Sequence, residues 1–103
     1  MSKLAGLPKR ILGVAVEWND TPGRGPWAWG WSPERSVTVM MNNRFHQGKF
    51  LYEGGWYRAE VQFHIGTARG RRQEATVIGW GRSIGGAIKS LQRNVRRLRR
   101  CLP

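Results

Sequence analysis

The sequence predicts an α+β protein: an antiparallel sheet of four to six strands with a C-terminal amphipathic helix packed on one face. Three observations carry this expectation. Over residues 56–65, Tyr57, Ala59, Val61, Phe63 and Ile65 alternate with Trp56, Arg58, Glu60, Gln62 and His64. That is the pattern of a strand with one side on a core and the other in water. From Ser83 onward, Ile84, Ala87, Ile88, Leu91, Val95 and Leu98 recur at spacings of three and four, which draws an apolar stripe along a helix. Between these patterns and upstream of them, short apolar runs are separated by clusters of Gly, Pro, Asn and Ser that mark turns.

In chain order, residues 1–9 read as a loose basic arm, and residues 10–103 as a single α+β domain, since 103 residues suit one modest core. Ile11–Trp18 reads as a first strand, with Leu12, Val14, Val16 and Trp18 on one side. Its short apolar run is followed by Glu17 and Trp18 and has no small-residue cleavage motif, so it does not read as a signal peptide. Asn19–Pro26 is dense in turn formers and reads as a loop. Trp27, Trp29 and Trp31 then fall at period two, and Val37–Met41 reads as a short strand. Phe50–Tyr52 reads as another, with Glu53-Gly54-Gly55 as a hairpin turn before Trp56–Ile65. Gly66–Gly70 is the next turn and Arg72–Trp80 the returning antiparallel strand. Ser83 is placed to cap the helix. Gly85 and Gly86 weaken its first turn and suggest either close contact with the sheet or a flexible entry.

Charge is the unusual property. Eighteen Lys and Arg face six Asp and Glu, a formal net charge of +12 and a sequence pI near 11.6. Such a balance suits a polyanionic partner. Half of it sits after Ser83, as Lys89, Arg93, Arg96, Arg97, Arg99 and Arg100 with no acid among them. Lys89, Arg93, Arg96 and Arg100 make one stripe opposite the apolar one, with Arg97 and Arg99 beside it. A second cluster, Arg69, Arg71 and Arg72, sits at a strand-to-strand turn, and Arg82 precedes the helix. Together they could extend one positive surface. The excess of Arg over Lys suits phosphate binding, and a GC-rich coding bias gives the same composition.

Six tryptophans are many for this length. Trp27, Trp29, Trp31, Trp56 and Trp80 have three readings: filling the core, stacking on unpaired bases, or anchoring a protein interface, including a homodimer. Three on one side of a strand bury well together, which favours a structural or interface role for the Trp27–Trp31 run.

The single cysteine, Cys101, excludes an intrachain disulfide, and with His46 and His64 apart no metal-ligand spacing is present. No metal and no cofactor are expected. No nucleophile elbow, paired carboxylates or P-loop spacing is present, so no catalytic residue and no enzyme activity are expected. No apolar run is long enough to span a bilayer. Lipid binding by the helix conflicts with use of its apolar stripe by the sheet, so no membrane partner is expected, and the location expected is the cytoplasm.

Trp56–Leu98 resembles the strand–strand–helix tail of double-stranded-RNA-binding-domain-like folds, and is similar in layout to the partial version of that fold in HicB-type antitoxins. The carriers are the two alternating strands, then Gly79-Trp80-Gly81-Arg82-Ser83, then a helix with Ala87 near its start. The resemblance implies a sheet-plus-helix shape. The RNA-binding family presents a lysine cluster at the start of this helix, where this chain has Ile84-Gly85-Gly86. The combined expectation is a small non-catalytic nucleic-acid-binding protein, for DNA or RNA, largely indifferent to sequence. The alternative is a phage- or mobile-element-type effector that binds an acidic surface of another protein.

Overall fold

The computed structural model describes residues 6–21, 25–47, 49–66 and 72–101. It is α+β, with a five-stranded antiparallel sheet, a two-stranded hairpin and one C-terminal helix. The elements are β1 (Arg10–Ile11), β2 (Val14–Ala15), β3 (Glu17–Thr21), β4 (Gly25–Trp31), β5 (Arg35–Gln47), β6 (Phe50–Gly66), β7 (Arg72–Gly81) and α1 (Ile84–Cys101). The large sheet is a meander in the order β3-β4-β5-β6-β7.

One row of partners explains the core. Ala28 pairs with Val39, Val39 with Ala59, and Ala59 with Gly79. The row beside it runs through Gly30, Val37, Val61 and Val77. Because side chains alternate along a strand, these two rows share one side of the sheet. α1 lies over their β6–β7 end, burying Ala87, Ile88, Leu91 and Val95. The β1–β2 hairpin covers the β4–β5 end with Ile11 and Val14. Burial of these small and branched side chains contributes about 25 cal/mol per Å² of apolar surface removed from water.

The helix approaches the sheet over glycine. A Cβ on Gly79 would stand 2.6 Å from Leu91 Cα and 2.7 Å from the Ala87 carbonyl oxygen, and one on Gly81 would stand 2.6 Å from the Gly86 carbonyl carbon. These two β7 glycines provide the close approach that the sequence suggested for Gly85 and Gly86. Gly85 has open space around it. Ser83 caps as expected: Gly86 N–H donates to Ser83 Oγ at 3.0 Å, and Ala87 N–H to the Ser83 carbonyl at 3.0 Å. Asn94 adds a tie farther along, its Nδ2 donating to the Ile78 carbonyl at 2.8 Å. Ser83→Ala should therefore lower stability by about 1 kcal/mol, while Ser83→Asp should keep most of it. Thermal denaturation followed by circular dichroism reads both.

Four expectations are corrected. The run Ile11–Trp18 is not one strand, because the chain reverses at Leu12-Gly13, with φ of 51° and 79°. Positive φ at both positions is what a two-residue type I′ hairpin needs. Glycine takes it freely, and leucine bears about 1–2 kcal/mol of strain. Arg35 Nη1 donates to the Leu12 carbonyl at 3.0 Å and holds this turn on the sheet. Asn19–Pro26 is not all loop: Asn19, Asp20 and Thr21 pair with Trp27, Pro26 and Gly25. Pro26 is accommodated because β4 pairs with β5 only over Ala28–Trp31. The strand expected at Val37–Met41 extends over Arg35–Gln47. Glu53-Gly54-Gly55 is not a turn but part of β6, where Gly55 takes a φ of 68° near a register shift between Asn42 and Arg44.

Of the arm expected over residues 1–9, residues 1–5 lie outside the described residues. Pro8 and Lys9 are tied to the body, their carbonyls accepting from Trp18 Nε1 at 2.7 Å and Val16 N–H at 3.0 Å.

Candidate nucleic-acid interface

The helix turns its charge outward. At 3.6 residues per turn, Lys89, Arg93, Arg96 and Arg100 fall within an arc of about 60°. That arc is centred opposite Leu91, which is fully buried against the sheet. All four are exposed, as are Arg97 and Arg99 on either side. From Lys89 to Arg100 the stripe runs about 16 Å at 1.5 Å per residue. Among the described residues none of these six forms an ion pair. Arg99 and Arg100 occupy the last turn, where cations are favoured by the helix dipole. Leu98 departs from its expected place in the apolar stripe: it is 37% exposed, whereas Leu91 and Val95 on the same stripe are buried.

Five tryptophans share the other side of the molecule. Trp29 pairs with Thr38, Thr38 with Glu60 and Glu60 with Ile78, while Trp31 pairs with Ser36, Ser36 with Gln62 and Gln62 with Thr76. These rows alternate with the core rows and so face away from α1. Trp27, Trp56 and Trp80 have the same parity. Trp29 is 49% and Trp31 58% exposed. The Trp27–Trp31 run does not bury itself: Trp29 and Trp31 remain exposed, and only Trp27 is partly covered. Trp27 Nε1 donates to Thr21 Oγ1 at 2.8 Å. Arg82 lies over the Trp56 ring, 4.5 Å from its centroid, a cation–π geometry. Arg58 pairs with Glu60 along β6 at 3.6 Å, and its guanidinium donates across to Met40 Sδ on β5 at 3.7 Å.

The cations and the tryptophans are thus on opposite faces of a two-layer molecule whose shortest extent is 22 Å. Arg82 belongs to the tryptophan face and does not extend the helix stripe. Arg69 and Arg71 lie outside the described residues, as does the Arg72 side chain, although Arg72 begins β7. Trp18, the sixth tryptophan, packs against the core. The sequence carried a signal for this division that was not used: along β7, Gly79 and Gly81 alternate with Ile78 and Trp80, so the residues without side chains mark the side where a helix must approach. Thr38, Met40 and Ile78 on the open face were not singled out from sequence.

Among the described residues no helix is long and apolar enough to cross a membrane, and no group of three or more His, Cys, Asp or Glu could hold a metal ion. The fold and its two faces define an α+β protein with a cationic helix on one side of a meander sheet and an aromatic surface on the other. The sequence matches no known family model and no curated protein, and the structure matches no solved structure.

Proposed function

We propose that this protein binds nucleic acid through the outward face of α1, largely without regard to sequence and without catalysis. The observation that carries the reading is the set of six exposed cations on one helix of eighteen residues, with no acid on that helix. A nucleic-acid backbone is a line of negative charge, and a straight row of Arg and Lys complements it while releasing condensed counterions. Arginine adds a donor fork matched to phosphate oxygens. Contacts of this kind set position and affinity rather than base choice. The tryptophans face away from the helix, so base stacking on them is not part of the proposed contact. An acidic protein surface is the competing partner for the same stripe.

Binding to labelled single- and double-stranded DNA and RNA of mixed sequence, measured across a salt series, tests the reading. Six neutralised phosphates predict that log affinity falls against log salt with a slope of about −4 to −5. Affinity should change little between sequences of equal length. A flat salt response, or no binding near 0.1 M salt, sinks the proposal.

A further inference from the structure

We infer that the open face of the sheet is a self-association surface, and that two copies pack these faces together as a β-sandwich with the helices outermost. Three observations carry this independently of what the helix binds. First, the face is apolar where it is most exposed. Trp29 and Trp31 stand half out of the surface on β4, beside Trp27, and the same side of the sheet carries Thr38 and Met40 on β5 and Ile78 on β7. Exposed tryptophans grouped in this way are typical anchors of an interface.

Second, the described part of the face is electrically neutral in a chain that is not. Its described charged side chains are the acids Glu17 and Glu60 and the cations Arg58 and Arg82, whereas the chain carries +12. A surface evolved for a polyanion would hold cations in excess, as α1 does. A neutral surface suits a partner with the same neutral surface, and a second copy offers one. Packing these faces together also sets the two cationic helices on opposite outer sides. Each layer adds about 10 Å, so the helices stand more than two Debye lengths apart at physiological ionic strength, where that length is about 8 Å.

Third, the area is sufficient. Five strands at about 4.8 Å by seven residues at about 3.4 Å give a projected face of roughly 600 Å². Two copies therefore bury roughly 1,200 Å², before the relief of the tryptophans is counted, which reaches the range of specific interfaces. Aligned sheet packing, with each sheet's twist matched to the other, is the ordinary geometry for such a pair.

The test is molar mass in solution, by sedimentation equilibrium after nuclease treatment, in about 0.5 M salt to suppress bound polyanion. The expected result is a concentration-dependent rise from 11.8 kDa toward twice that mass, with tryptophan emission shifting to the blue as dimer forms. Trp29→Arg with Trp31→Arg should hold the protein at monomer mass with its helical circular dichroism unchanged. Thr38→Lys, a smaller change at the centre of the face, should raise the dissociation constant at least tenfold and guards against a folding failure in the double variant. A wild-type protein that stays monomeric to about 1 mM overturns the inference, as does a dimer that survives both sets of substitutions. Loss of nucleic-acid binding in the Trp29/Trp31 variant without loss of a dimer assigns the face to bases and overturns it too. The nucleic-acid proposal fails separately, through the salt series.

Discussion

Gly79→Ala should cost about 3 kcal/mol or more of stability, and Gly79→Val should yield no folded protein. A Cβ at this position meets the backbone of Leu91 and Ala87, not the flexible end of a side chain, so neither partner can step aside. The helix would have to withdraw along its length, opening the contact that buries Ala87, Leu91 and Val95. Overpacked cores ordinarily lose about 1–3 kcal/mol, and a clash with helix backbone belongs at or above the upper end. For a domain of this size each kcal/mol moves the melting temperature by about 4–8 °C. The alanine variant should therefore melt at least about 12 °C lower. Gly85→Ala is the control. It adds the same atom on the helix itself, into open space, and should raise stability by about 1 kcal/mol through helix propensity. If Gly79→Ala melts within a few degrees of wild type, the helix does not sit where the structure puts it.

Replacing Arg93, Arg96 and Arg100 together by Glu should abolish nucleic-acid binding while leaving the fold. The three lie on the arc farthest from the core and are exposed, so no buried contact is lost. Reversal takes the helix from six positive charges to a balanced sum. At 0.1 M salt each phosphate contact is worth nearly a factor of ten in affinity. Losing three predicts a fall of about a thousandfold, deepened by repulsion from the new carboxylates. Glutamate is a good helix former, and the price in stability is about 0.3–1 kcal/mol from placing an acid in the last turn. Fluorescence anisotropy with a labelled duplex reads the affinity, and circular dichroism confirms the helix. The corresponding Gln variants should keep the weakened binding without the repulsion. Full affinity in the Glu variant would remove the helix from the contact.

The parts of the fold that were legible in the sequence are those with long, unbroken periodicity. Trp56–Ile65 alternates cleanly, and the stripe from Ile84 to Val95 repeats for three turns, so both were placed correctly. Ile11–Trp18 also alternates, but a two-residue reversal inside it leaves hydrophobic residues on either side and is invisible to period. Glycine misled at Gly55, where it serves a bend within β6 rather than a turn, because composition reports conformational need and not its cause. The helix cations were legible because one helix carries them all. Which side of the sheet the tryptophans take was not, because alternation separates two faces without saying which one a helix will cover. Gly79 and Gly81 decide that question.

The meander also has a consequence in time. Each strand of the large sheet lies beside the strand that follows it in the chain, and α1 docks on the two strands made just before it. Such pairings close short loops, which is the property that speeds folding in a β-rich chain. As the chain leaves the ribosome, each new strand finds its template already present, and no edge has to wait for a distant partner. The β6–β7 floor, with its glycines bare, is covered only once α1 has formed. Within this fold, synthesis order and spatial order are nearly the same list.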